Sequence, residues 1–302
     1  MSFFQTIYNY GKMVKFSHTL FALPFAGFSV LYAILEDSKS NLYELGIKSF
    51  FILICMVSAR NAAMGFNRYV DKEIDARNPR TQNREIPAGI LSENSVLYFT
   101  IFFSFIFVLS TYFINQLSFY LSIPTLMIVL FYSYTKRFTW LCHFVLGLGI
   151  GIAPSGAWIA IRDELSLLPA LWSFGLMFHI AGFDILYSIQ DYEFDRSQNL
   201  YSIPGRFGIE KALWIARISH LISFSLLVYS GIYGDMGLPF FLFLCITGIL
   251  FSIEHLLVKK DDFSKIPIAF FHINASISII LFLGVLLDKW DLLVSKFSGG
   301  SL

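Results

Sequence analysis

Apolar residues in this chain fall in unbroken blocks of about 20, the length of helix that crosses a bilayer. Blocks bounded by charge, Pro or Gly predict spans near 16–35, 45–64, 96–115, 117–134, 141–161, 167–187, 213–233, 238–258 and 266–287. The run from Val96 to Tyr134 is too long for one crossing of a hydrocarbon core about 30 Å thick, so its polar interruption, Asn115-Gln116, is read as a tight hairpin. The blocks lack the two-residue alternation of a barrel strand and are therefore helices. The predicted fold is an all-α integral membrane bundle of nine transmembrane helices, a single domain over residues 1–302. Two long loops, 65–95 and 188–212, are expected to cap a central cavity from the cytoplasmic side. Gly147, Gly149, Gly151 and Pro154 predict an irregular or closely packed fifth span.

Composition agrees: 56% of the 302 residues are hydrophobic and 14% charged, against roughly 25% charged in soluble domains. The first block is too long for a signal sequence and lacks a convincing small-residue cleavage site, so it is read as a retained span. Net charge is +1, which gives no reason to expect nucleic acid as a partner. The placement of the cations is more informative. With the N-terminus inside, 17 of the 22 Lys and Arg fall on inner segments and only Lys39, Lys48, Arg162, Lys289 and Lys296 outside. The expected location is the cell (inner) membrane, with both long loops cytoplasmic.

Because four spans separate them, the two long loops return to one membrane face. The first opens with Asn67, Asp71 and Asp75, spaced four apart, which aligns their oxygens on one face of a helix prolonging the second span. Arg60 falls on the same stripe. The second opens with Asp184, Tyr187, Gln190, Asp191 and Asp195, again selecting one face. Carboxylates facing one another repel and are costly near hydrocarbon, so a cation should bridge them; an all-oxygen set suits Mg²⁺, which binds through carboxylates and substrate phosphates. A diphosphate is the natural third party, with Arg77, Arg80, Arg84, Lys136, Arg137 and Arg206 available for its outer oxygens. Lys72 reads as a surface charge. One DxxxD alone is most often a solvated helix end; two on one face are hard to dismiss so. A transporter, the rival of another class, would distribute its charges at mid-membrane along several spans.

At these residues the chain resembles the UbiA-type membrane prenyltransferases. Their NxxxDxxxD motif and basic segment read here as Asn67, Asp71 and Asp75, then Arg80-Thr81-Gln82-Asn83-Arg84 and Pro87-Ala88-Gly89. The second motif runs from Asp184 to Asp195 and on to Ser202-Ile203-Pro204-Gly205-Arg206-Phe207-Gly208. Ser17 to Pro24 and Tyr134 to Thr139 match as well. The resemblance implies transfer of a polyprenyl chain from its diphosphate to an aromatic acid of the 4-hydroxybenzoate type in quinone biosynthesis. It implies Mg²⁺ on Asn67, Asp71, Asp75, Asp191 and Asp195. Asp71, Asp184, Asp191, Arg60 and Arg68 are the expected catalytic residues: Asp184 to orient the acceptor or help take its ring proton, and Arg60 or Arg68 to pair with its carboxylate. Many relatives carry Asp where this chain has Arg68, and Arg-Pro-Leu where it has Arg84-Glu85-Ile86-Pro87. These departures resemble a subgroup that includes enzymes prenylating a dihydroxynaphthoate in a menaquinone route, which stands as the alternative acceptor.

The 34 Phe and 15 Tyr could line a tail-binding path, although packing accounts for any single one. His18, His143, His179, His220, His255 and His272 lack ligand spacing and read as packing or headgroup contacts, with Glu254-His255 at the interface. Cys55, Cys142 and Cys245 read as buried free thiols.

Overall fold

The computed structural model describes residues 3–15, 21–37, 40–259 and 262–298. A short helix α1 (Phe3–Val14) precedes α2 (Leu23–Glu36), α3 (Leu42–Arg77), α4 (Glu93–Tyr112), α5 (Gln116–Thr135), α6 (Cys142–Gly151) and α7 (Ala153–Arg162). Next come α8 (Leu167–Ser188), α9 (Tyr192–Ser197), α10 (Ile203–Phe207), α11 (Ile209–Tyr233) and α12 (Leu238–Leu257). The chain ends with α13 (Ile266–Ile268), α14 (Asn274–Asp288) and α15 (Trp290–Phe297).

Among the described residues, eight helical segments are long and apolar enough to cross a membrane, against the nine expected. The difference is the first span. Pro24 stands in the opening turn of α2, which has 14 residues and at 1.5 Å per residue reaches about 21 Å, short of the hydrocarbon core. The first part of the expected span, residues 16–20 with His18, lies outside the described residues. The expected hairpin is present: Asn115 caps α5 by accepting from Ser118 N at 2.7 Å, and its amide donates to Ile159 O at 2.8 Å.

Helix α3 is the longest element. Asn41 and Glu44 form a reciprocal capping box at its start. Its 36 residues make a rod of about 54 Å, longer than the hydrocarbon core is thick, so one end must project beyond it. It stops at Asn78, whose extended backbone is what a following proline, Pro79, demands. The central helix is α8, within a rod over Leu167–Ser197 that is 61% buried along its most apolar stretch, against 17% for α3. Around it pack Phe28 on Trp172 at 5.0 Å and Tyr32, whose hydroxyl donates to Gly234 O at 2.6 Å.

The irregular fifth span is found as α6 and α7, separated at Ile152 with Pro154 in the first turn of α7. Gly147 and Gly151, four apart, face α8. A Cβ on Gly151 would lie 2.7 Å from Ser173 O, and one on Gly147 would collide with Met177 O. Small residues let the two backbones meet. Gly147→Leu should therefore lower stability by about 1–3 kcal/mol or more through overpacking. A thermal transition at the wild-type temperature would show that the contact is dispensable.

Two expectations about polar groups are corrected. Glu254 is fully buried, not interfacial, because its face of α12 turns inward to Asn274, which donates to its carboxylate at 3.1 Å. His255 is half-buried and lies 3.1 Å from His220. Of the three thiols only Cys142 is buried; Cys245 is exposed on the apolar flank of α12.

Candidate active site

The projecting end of α3 carries the first acidic stripe. Asn67 donates its amide to Asp71 at 2.7 Å, and Arg68, buried beneath, donates to the Asn67 carbonyl oxygen at 3.0 Å. Past Pro79 the chain turns back through Arg80 and Arg84. Arg84 Nη1 reaches both oxygens of Asp75 at 2.7 and 2.8 Å, while Thr81 fixes the turn by donating to Asp75 O at 3.1 Å.

Arg80 joins the two motifs. Its Nε donates to Asp191 Oδ1 at 2.8 Å and its Nη1 to the Tyr187 hydroxyl at 3.0 Å, and Asn78 adds a bond to Asp191 at 2.9 Å. Burial alone works against the Arg80 charge, but the adjoining Asp191 carboxylate holds its pKa above the ordinary arginine value. The turn after α5 supplies two further cations: Lys136 lies 2.8 Å from Asp195, and Arg137 lies 2.8 Å from Asp71. Lys136 is likewise kept above the usual lysine value, since Asp195 outweighs the cost of burial.

The two motifs thus meet as expected, with Asp71, Asp75, Asp191 and Asp195 each held by one Arg or Lys. Arg77 and Arg206 are not brought in. Arg77 is two residues past Asp75, about 200° around the helix, and donates to its own Glu73 O at 3.2 Å. Arg206 is exposed on α10. Lys72 pairs with Glu93 outside the cluster, as a surface charge would.

Several participants were not legible in sequence. Asn78 was concealed as a helix terminus. Lys15, just past α1, is half-buried near Arg68, Arg84 and Arg80; burial first, then these cations, lower its pKa to about 8. Cations set this close together suit an anion between them. His143, read as packing, lies against Asp184 at 2.7 Å. Its partner is 41 residues away, and no local spacing reveals such a pair.

Along α3 the stripe continues inward from Asn67 to Met64, Arg60 and Met56, which line a cavity of about 440 Å³ between α3, α5, α6 and α7. Arg60 and Tyr132 are polar groups in its wall, and the remainder is mostly apolar, running to Ile114 and Ile159. Arg60 donates to Val14 O and Lys15 O at 3.3 and 3.2 Å, at the end of α1. A charged mouth therefore adjoins an apolar cleft on one helix face.

Among the described residues no three His, Cys, Asp or Glu stand close enough to form a ready metal cage. The donors are nevertheless hard oxygens, the set Mg²⁺ prefers, and their present counter-charges are long side chains of the kind that bind phosphate. The residues fit Mg²⁺ arriving with a diphosphate that draws the Arg and Lys side chains onto itself.

Residues 21–276 match the UbiA prenyltransferase family. The chain is 28% identical over 283 residues to a 4-hydroxybenzoate octaprenyltransferase of Yersinia pseudotuberculosis, covering 93% of this chain and 92% of that protein. It is 26% identical over 232 residues to the corresponding protein of Nitrosomonas eutropha, with 76% and 79% covered. The fold is similar to the apo structure of a UbiA homolog from Aeropyrum pernix K1, with TM-score 0.79, 28% identity and coverage of 90% and 98%. It is also similar to a UbiA homolog from Archaeoglobus fulgidus bound to DMAPP and Mg²⁺, with TM-score 0.70, 17% identity and coverage of 95% and 99%.

Proposed function

The chain belongs to the UbiA prenyltransferase family, and from that premise we propose that it transfers a polyprenyl chain from its diphosphate to an aromatic acid of the 4-hydroxybenzoate type, with Mg²⁺ as cofactor. The observation that carries this is the Arg80–Asp191 brace, which gathers four carboxylates and their cations above the apolar cleft. The relatives named 4-hydroxybenzoate octaprenyltransferase favour this acceptor over a dihydroxynaphthoate and an enzyme over a transporter. The 17-to-5 division of Lys and Arg supports an inner-membrane protein with its N-terminus and acidic loops cytoplasmic.

Asn67, Asp71, Asp75, Asp191 and Asp195 would hold Mg²⁺, which when bound neutralises charge on the departing diphosphate. Arg80, Arg84, Lys136 and Arg137 grip the outer phosphate oxygens and follow them as the allylic C–O bond breaks. The tail lies in the cleft, whose apolar wall keeps water from the allylic cation. Arg60, in that wall beneath Asn67, pairs with the acceptor carboxylate and turns the ring toward the cation. Asp184 takes the ring proton that restores aromaticity.

The test is diphosphate release by the purified protein with Mg²⁺, a long-chain prenyl diphosphate and one acceptor at a time: 4-hydroxybenzoate, 1,4-dihydroxy-6-naphthoate or a carboxyl-free phenol. The first should be used best. Arg60→Leu should raise its KM about tenfold or more through loss of a charge-assisted contact and leave the KM of the prenyl diphosphate in place. Turnover of the carboxyl-free phenol alone would overturn the acceptor assignment; preference for the naphthoate would move it to the alternative route.

A further inference from the structure

His143, the second residue of α6, is buried and bonded at both ring nitrogens. The backbone N–H of Ile203, at the start of α10, points at Nε2 from 3.2 Å, and Asp184 Oδ2 lies 2.7 Å from Nδ1. An N–H can only donate, so Nε2 bears the lone pair and the proton sits on Nδ1, where it is donated to Asp184. In this arrangement the ring accepts at Nε2 and donates from Nδ1. It fixes one oxygen of Asp184, a carboxylate that is half-buried.

The same ring is tied to the second acidic loop. Three further contacts join that loop to Lys136 and to Cys142 at the start of α6: Tyr201 N to Lys136 O at 2.8 Å, Cys142 Sγ to Tyr201 O at 3.3 Å, and Lys136 to Asp195 at 2.8 Å. Of the four ties, only His143 also reaches Asp184. When this loop is in place, Ile203 sets the tautomer, and the tautomer sets the carboxylate.

We propose that His143 is a positioning residue that aims Asp184 at the aromatic acceptor and makes its aim conditional on docking of the loop that carries Asp191 and Asp195. The inference rests on the acceptor chemistry proposed above. In the step concerned, the alkylated ring carbon loses its proton to the free oxygen of Asp184. The C–H electron pair returns to the ring, and the resulting carboxylic acid later yields its proton to water. His143 keeps its Nδ1 proton throughout.

The experiment compares His143→Leu, which retains bulk but makes neither bond, with His143→Gln, whose amide supplies one donor and one acceptor. Both are measured in the full-length protein for each substrate. His143→Leu should lower kcat/KM for the acceptor about tenfold to a hundredfold, the usual cost of removing a partner that orients a working ligand. The KM of the prenyl diphosphate should stay within about twofold, and His143→Gln should recover most of the loss. In a cycle with Asp184→Asn, which removes the base that His143 aims, the double variant should lose little more than the worse single variant. Wild-type acceptor kinetics in His143→Leu, a His143→Gln protein as impaired as His143→Leu, an equal rise in the KM of both substrates, or additive losses would each overturn the proposal. Should His143→Leu fail to fold, His143→Phe, which keeps a ring and makes neither bond, takes its place with the same expected and overturning results. A wild-type protein that binds no prenyl diphosphate and prenylates no acceptor would instead sink the parent reading.

Discussion

Asp191→Ala and Asp71→Ala should each reduce prenyl transfer by about two to three orders of magnitude, the scale on which loss of a group neutralising transition-state charge is felt. The two carboxylates sit on different motifs, yet each is bound to a cation drawn from elsewhere in the chain, Asp191 to Arg80 and Asp71 to Arg137. Removing Asp191 also frees Asn78 and takes the carboxylate from Arg80, leaving the bond from Arg80 to the Tyr187 hydroxyl to hold the first basic loop to α8. Asp191→Asn separates these effects. The amide can still accept from Asn78 but carries no charge, so stability should remain near wild type while activity falls almost as far as in the alanine variant. Lys72→Ala is the control, since its ammonium pairs with Glu93 outside the cluster and its loss should leave turnover unchanged. Diphosphate release with a thermal transition for each variant makes the measurement. Normal activity in both alanine variants at ordinary Mg²⁺ would remove the acidic motifs from the mechanism.

The second large effect concerns the cleft. Gly149 and Gly156 line it: a Cβ on Gly149 would find its nearest neighbour, Val129, at 3.9 Å, and one on Gly156 would find nothing within 4 Å. Gly156→Leu and Gly149→Phe should be tolerated by the fold, because the new side chain enters open space and a helical glycine gives way to a better helix former. The added groups take volume that a prenyl tail would fill. Each methylene of tail displaced from apolar surroundings costs about 0.8 kcal/mol, so losing two or three lowers use of a long donor roughly tenfold or more. A short donor should be used as well as before. Competition between geranyl and octaprenyl diphosphates reads this directly, and unchanged preference in both variants would show that the tail runs elsewhere. Gly147, two residues from Gly149, faces α8 instead, and the same substitution there acts on stability.

Neighbouring glycines with opposite consequences mark where sequence reading stops. The blocks of apolar residues, the hairpin at Asn115 and the i, i+4 alignment of Asn67, Asp71 and Asp75 are local properties, set by helix geometry and by the length that spans a bilayer. All three are legible in the chain. The rule of placing Lys and Arg near carboxylates selected Arg80, Arg84, Lys136 and Arg137, which meet the acidic residues, and also Arg77 and Arg206, which do not, because composition does not say which way a side chain leaves its helix.

By itself the sequence determined a multi-helix membrane protein with two acidic helix ends and basic residues beside them, since periodicity, span length and charge act over a few turns of one chain segment. Tertiary structure alone decided that Arg80 holds Asp191, 111 residues away, that His143 supports Asp184, and that Glu254 turns inward to Asn274. A carboxylate in apolar surroundings must take whatever partner packing brings within hydrogen-bond distance. That partner is chosen by the rotation of each helix against its neighbours, a quantity no local pattern encodes.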